Sequence, residues 1–299
     1  MNQYITKAYA KINLGLDVIR KLPNGYHQVK MVMQAIDLWD ELTLEKTADG
    51  IILTTDAGEL PTDGNNLIYK AAKLMRDTYS LKEGVKIHLQ KNIPIAAGMA
   101  GGSTDAAAAM LGINRLFCLG IPHRSLMRIS VAIGADVPFC ILGGTALAEG
   151  IGEQLTPLPP VPPCHVLVAK PDISVSTKYV YEHLDSAGIQ RHPDIDGMIT
   201  AIREGSLQGV LNRMENVLES VTVPAYPIIE SIKKKMLELG AAASLMSGSG
   251  PTVFGIFTEE TAAEYAFRQL KTEGLAKQIF LTAPLSISEK LPFDSSGIS

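Results

Sequence analysis

The chain has 299 residues, 46% hydrophobic and 19% charged, with a formal net charge of −4. That is a globular composition, long enough for one large domain or two medium ones. It lacks the basic runs of a nucleic-acid binder, Lys233-Lys234-Lys235 being the densest, and no apolar run nears the roughly 20 residues that span a bilayer. Lys7, Lys11 and Asp17 interrupt the N-terminal stretch where a signal peptide needs an unbroken apolar segment. Cys118, Cys140 and Cys164 carry neither metal nor disulfide spacing. A cytoplasmic protein is expected, with no membrane or nucleic-acid partner.

Residues 6–18 alternate, with Ala8, Ala10, Ile12, Leu14, Leu16 and Val18 on one parity, which predicts a strand with one buried face. Lys11 and Asn13 share the other face, roughly 6–7 Å apart. Pro23-Asn24-Gly25 signals a turn, and a second strand begins at Tyr26-His27. Short strands are expected near ELTLEK and GIILTTD, giving an antiparallel group. After Asn65-Asn66 the period becomes helical, and Asn is a good helix cap. Val85, Ile87 and Leu89 alternate again, in a strand running into Pro94.

The stretch that follows, NIPIAAGMAGGSTDAAAAML, matches neither a Walker A loop nor a dinucleotide fingerprint. Its glycines would let backbone N–H groups face an anion, and Ser103 or Thr104 would cap the helix behind them. A tight turn into a close-packed helix explains a single G-x-x-G-G equally well. A second glycine turn, Ser247-Gly248-Ser249-Gly250, favours a ligand with several phosphates. Further on, a helix is expected from Ser125 to about Gly134. GADVP then leads to a strand near FCILGGTALA. The run TPLPPVPP, residues 156–163, holds five prolines and reads as a linker between domains 1–155 and 164–299, since neither a helix nor a central strand tolerates it. Beyond it come a strand (HVLVAKP), several helices to about Gly240, a strand–turn–strand, a helix and a last strand.

Pro94-x-x-x-Gly98-x-x-Gly101-Gly102-Ser103-Thr104 resembles the nucleotide loop of the GHMP kinase superfamily, which includes galactokinase, homoserine kinase and mevalonate kinase. Lys11-Ile12-Asn13, Gly25-Tyr26-His27, Asn65-Asn66-Leu67 and Gly134-Ala135-Asp136-Val137-Pro138, in that order, resemble the 4-diphosphocytidyl-2-C-methyl-D-erythritol kinase family. The resemblance runs from Lys7 to the final strand. It implies an α+β fold of two parts, an N-terminal mixed sheet with helices and a C-terminal ferredoxin-like sandwich, with a cleft between them. It also implies ATP as co-substrate with Mg²⁺, a diphosphocytidyl alcohol as acceptor, and a monomer or homodimer.

Carried over residue by residue, the resemblance makes Lys11 and Asp136 the catalytic pair. Sequence physics alone does not select Asp136 over Asp17 or Asp105. Pro94, Ile95, Ala96, Ala97, Gly98, Met99, Ala100, Gly101, Gly102, Ser103 and Thr104 would cradle the ATP phosphates, with Thr104 a candidate for the metal. Asn65 and Asn66 would face the adenine. Asn13 would bind the methylerythritol hydroxyls, and Tyr26 and His27 the cytosine. Tyr181 is the expected second stacking wall, with Tyr179 the alternative. At Asp105 family members often carry Asn, and Met99-Ala100 depart from the usual glycine pattern.

Overall fold

A computed structural model describes residues 2–189 and 191–286. Strands β1 (Gln3–Lys21) and β2 (His27–Thr47) form a long antiparallel ribbon, closed by the tight turn at Pro23–Gly25. β3 (Ile51–Thr55), helix α1 (Leu67–Tyr79) and β4 (Gly84–Gln90) follow, with β3 parallel to β4, so α1 is their crossover. Next come α2 (Gly101–Leu116), α3 (His123–Ser130), α4 (Val137–Leu142), β5 (Thr145–Glu149) and β6 (Gln154–Leu158). The first sheet has the order β3-β4-β2-β5-β6, with β1 on the other edge of β2.

The rest of the chain comprises β7 (His165–Lys170), α5 (Thr177–Ala187), α6 (Ile195–Arg203), α7 (Leu207–Leu211), α8 (Glu219–Ala225), α9 (Ile228–Glu238), β8 (Ala243–Met246), β9 (Val253–Phe257), α10 (Glu260–Glu273) and β10 (Gln278–Thr282). Its sheet has the order β10-β7-β9-β8, antiparallel throughout. That order, with helices packed on one face, is the ferredoxin-like arrangement.

Several expectations change. The polar parity of β1 is not solvated: Lys11, Asn13 and Asp17 are buried along with the apolar parity, because Met99 of the 94–104 loop, Gly248 and His192 lie against that face in turn. Leu16 accepts from Val217 N at 3.0 Å and donates to Glu215 O at 2.9 Å, so β1 is stitched to the second half. ELTLEK is the far end of β2 rather than a separate strand. The FCIL segment is helical: Pro138 sits in the first turn of α4, where its missing N–H costs nothing, and the strand waits until Thr145. α3 runs from His123 to Ser130, displaced from the expected Ser125–Gly134. Part of the proline run belongs to β6, with Pro157 opposite Ala146; β6 is an edge strand, where proline is tolerated.

The core is continuous across the halves. Ala10, Ile12 and Leu14 of β1 pack with Val166, Ile195 and Phe254, while Leu16 and Val18 join Leu167 and Val253. A third cluster seats α1 and α2 on the first sheet. There Ala106, Ala107, Ala108 and Ala109 are all buried, the short side chains letting α2 lie close to the strands. Gly112 of the same helix faces Leu44, whose Cδ1 would stand 2.8 Å from an added Cβ.

Candidate active site

Lys11 lies mid-strand in β1, and its ammonium is only 5% exposed with the rest of the residue. Burying that charge is costly without partners. It donates to Asn13 Oδ1 at 2.8 Å and lies 3.9 Å from Asp136 Oδ2. Two-residue strand spacing puts Lys11 and Asn13 on one face. Asp136, just ahead of α4, keeps about a third of its side chain exposed (32%), so its carboxylate is open on one side. The pair is therefore a buried cation beside an accessible acceptor.

The residues 94–104 loop arches over this pair, tied down by Lys11 N donating to Met99 O at 3.2 Å. Ala96 and Ala100 both take positive φ, 52° and 57°. For a residue with a side chain each costs roughly 1–2 kcal/mol, and such strain tends to mark functional loops. α2 starts at Gly101 with Ala100 as its cap residue and no side-chain cap bond. Ser103 and Thr104 thus lie inside the first turn and do not cap it. Thr104 N bonds Ala100 O at 2.8 Å, so the N–H groups of Gly101, Gly102 and Ser103 precede the first helical bond. Three unspent donors on a helix N-terminus form an anion cradle. Thr104 turns its hydroxyl to Tyr9 O at 2.7 Å, away from that role.

The second glycine turn meets the first directly. Ser247 Oγ donates to Gly98 O at 3.0 Å, and an added Cβ on Gly248 would stand 3.1 Å from Gly98 O and 3.7 Å from Asn13 Oδ1. Asn216 staples the turn from below: Nδ2 donates to Met246 O and Gly248 O, both at 2.8 Å, and Oδ1 accepts from Leu218 N.

Sequence reasoning missed Asn216, and it missed the cluster beneath the loop. Lys91 there bonds Asp40, and Asp105 at 2.9 Å. Asp40 Oδ1 also accepts from Asn92 N at 2.6 Å and Ile93 N at 2.8 Å. Strand β2, the loop's entry and the first turns of α2 are thereby pinned at one buried point. Burial pushes the Asp105 carboxyl well above the usual carboxylate range, against the pull of Lys91, and its Oδ1 has no hydrogen-bond partner. The signal lay in three charged residues at core positions.

At the other end of the ribbon, His27 stacks on Tyr181, with centroids 4.6 Å apart and planes at 29°. Burial, then the Asp136 charge, raises the Tyr181 phenol to about 12. Tyr179 instead packs on His183 and is partly exposed, so Tyr181 is the aromatic that joins His27. Tyr26, at the hairpin tip, is 59% exposed. Asn66 is spent on structure: its Oδ1 accepts from Ile68 N, capping α1, and its Nδ2 donates to Pro61 O. Asn65 stays exposed, and Leu67 Cδ1 lies 3.4 Å from the Cβ position of Gly102, bringing this corner to the loop. Burial and the charge of Asp136 push the Cys140 thiol far up, so it is not a nucleophile.

Residues 66–144 match the family model for the GHMP kinase N-terminal domain, and residues 198–276 match that for the C-terminal one. The chain is 55% identical over 277 residues to the 4-diphosphocytidyl-2-C-methyl-D-erythritol kinase of Lachnospira eligens, covering 92% of this chain and 96% of that one. It is 53% identical to the enzyme of the same name from Lachnoclostridium phytofermentans, over 92% and 95%. A crystal structure of 4-(cytidine 5'-diphospho)-2C-methyl-D-erythritol kinase superposes with a TM-score of 0.80 at 31% identity, covering 94% of this chain and 99% of that one. Homoserine kinase from Cytophaga hutchinsonii shares the fold, with a TM-score of 0.76 at 21% identity, over 95% and 94%. With two glycine turns in contact beside a lysine–aspartate pair, and relatives matched along nearly their whole length, the chain belongs to the 4-diphosphocytidyl-2-C-methyl-D-erythritol kinase family of GHMP kinases.

Proposed function

We infer that this chain transfers the γ-phosphoryl group of ATP to the 2-hydroxyl of 4-diphosphocytidyl-2-C-methyl-D-erythritol, giving the 2-phosphate and ADP in non-mevalonate isoprenoid synthesis. The observation that carries the reading is the Lys11–Asp136 pair, 3.9 Å apart beneath the glycine loop. Phosphoryl transfer asks a protein mainly for positioning and charge stabilisation. Asp136 Oδ2 accepts the hydroxyl proton as the oxygen attacks phosphorus. Lys11, paired with that carboxylate at 3.9 Å, offsets charge on the transferring group. Asn13, already bonded to Lys11, orients the acceptor alcohol. The free N–H groups of Gly101, Gly102 and Ser103 hold the phosphates, and the corner at Asn65 faces the adenine. Asn66, fully used as a cap, supports this corner rather than contacting the base. Tyr26, His27 and Tyr181 enclose the cytosine.

Mg²⁺ is proposed to arrive with ATP. Among the described residues no group of three or more His, Cys, Asp or Glu side chains could hold a metal. An ion carried on phosphate oxygens and waters fits that donor set, with the Asp136 carboxylate and the Ser103 hydroxyl as the protein groups at hand. When bound, it neutralises the β- and γ-oxygens. No helix among the described residues is long and apolar enough to cross a membrane; a cytoplasmic site of action and a division into an ATP-binding part (1–155) and a substrate-closing part (164–299) remain part of this proposal.

The test is ADP release with ATP, Mg²⁺ and, in parallel, the cytidyl alcohol, homoserine and mevalonate. Turnover with the cytidyl alcohol alone is expected. Turnover with homoserine or mevalonate instead, or with none, refutes the reading. Asp136→Asn is expected to lower kcat at least about 100-fold with both KM values nearly unchanged.

A further inference from the structure

The hairpin end that carries His27 is held by a residue no motif pointed to. Lys21, the last residue of β1, pairs in register with His27, the first of β2. Both reach across to Asp185 on α5. His27 Nε2 lies 2.7 Å from Asp185 Oδ1, and Lys21 Nζ lies 2.7 Å from Oδ2. Tyr181, four residues earlier on the same helix face, covers the imidazole plane. One face of α5 thus supplies both a cover for the ring and a partner for one of its nitrogens.

The chemistry of Asp185 settles which nitrogen carries the proton. The bond from Lys21, then that from His27, holds the Asp185 carboxyl below the usual range. An ionised carboxylate only accepts hydrogen bonds, so the imidazole proton sits on Nε2. In the neutral ring Nδ1 then presents a lone pair. Among the described residues nothing bonds Nδ1, and it is not a buried orphan. It is open to a ligand that donates.

Cytosine and uracil differ at position 4: cytosine has an amino donor, uracil a carbonyl acceptor. We propose that Asp185, backed by Lys21, is a positioning residue that fixes the His27 tautomer so that Nδ1 accepts from the cytosine 4-amino group, setting the choice of base. This rests on the cytidyl reading of the site above. Asp185 itself touches no substrate; it acts through His27.

The experiment compares the cytidyl substrate with its uridyl analogue for the full-length protein and for Asp185→Asn. The unaltered protein is expected to prefer the cytidyl substrate at least about 100-fold in kcat/KM, since a site built for one hydrogen bond rejects its absence strongly. Asp185→Asn is expected to narrow that ratio about tenfold or more, through KM for the cytidyl substrate, leaving KM for ATP within twofold. A ratio unchanged in Asp185→Asn, or narrowed only together with a lost ATP KM, overturns the proposal and leaves Asp185 as a latch between halves. Failure of the unaltered protein to use the cytidyl substrate defeats the underlying reading instead. Independently of activity, the ¹⁵N shifts of His27, read on the neutral ring, should show a protonated Nε2 and a bare Nδ1; the reverse tautomer overturns the proposal even if Asp185→Asn does not fold.

Discussion

Gly98→Ala tests whether the two glycine turns form one structure. Gly98 has φ +70°, in the region where an L-residue is disfavoured by roughly 1–2 kcal/mol. An added Cβ would land on the Ser247 carbonyl oxygen and 3.0 Å from Gly250 O. Both obstacles are backbone, so neither can swing aside as a side chain would. Overpacking of that kind costs about 1–3 kcal/mol more. The sum, about 2–5 kcal/mol, corresponds to a fall in Tm of roughly 5–15 °C for a chain of this size. The loop would also lift from Ser247, so KM for ATP should rise several-fold. Gly102→Ala is the control for stability: its Cβ would meet only Leu67 Cδ1, at 3.4 Å, and its φ is ordinary. Inside a helix that change should hold or raise Tm. Thermal melts and ATP titrations of both variants decide the matter. A Gly98→Ala protein melting within 2 °C of the parent, with unchanged KM for ATP, would refute the described contact.

Lys91→Met removes the cation between Asp40 and Asp105, and stranding buried carboxylates typically costs about 3–5 kcal/mol; a melt should show it, with KM for ATP rising because residues 91–93 carry the loop. An unshifted melt would mean that the cluster does not clamp it. Asp105→Asn acts in the opposite sense. The folded carboxyl titrates above its unfolded value, so the native state holds a proton the unfolded chain releases, and stability is lost as pH rises above about 4. Asn does not titrate, so its Tm advantage should grow from pH 4 to pH 8; a constant difference contradicts the assignment. Asn66→Ala should cost about 1 kcal/mol through the lost cap, with KM for ATP moving less than in an Asn65→Ala variant.

Much of this was legible because it is local. Lys11 and Asn13 share a strand face by simple alternation, and Asn66 caps α1 at the position where the period changes. The wrong boundaries share a cause. Ser103 and Thr104 are better caps by propensity, yet the chain starts α2 at Gly101 because the bonds of Met99 and Gly98 to distant strands and turns fix the preceding backbone. FCIL has strand composition, but as a helix it sets Ile141 into the cluster that seats α2 and turns Phe139 and Leu142 into the neighbouring core cluster. What could not be read is long-range. Ser247 reaches Gly98 across 149 positions, and His27 reaches Asp185 across 158. Periodicity carries no information at that distance. Asp40, Lys91 and Asp105 are charges at core positions, but nothing local in the sequence says that they meet one another.

The stitching of β2 has a consequence for how the chain is made. β2 pairs with β5 through Gln34 and with β4 from Glu41. Between those pairings its edge is filled by residues 283–285: Asp37 N donates to Ala283 O at 2.9 Å and Leu285 N to Ala35 O at 2.8 Å. Gln34 itself reaches Leu285 O, 251 positions away. At ribosomal speeds of about 5–20 residues per second, those partners emerge roughly 10–50 s after β2 does. During that interval the strand beneath the reacting groups has an unprotected edge, the kind that recruits neighbouring chains. A version shortened before residue 283 would carry that exposure permanently, so it should be lost to aggregation in the cell although every residue assigned to chemistry is still present.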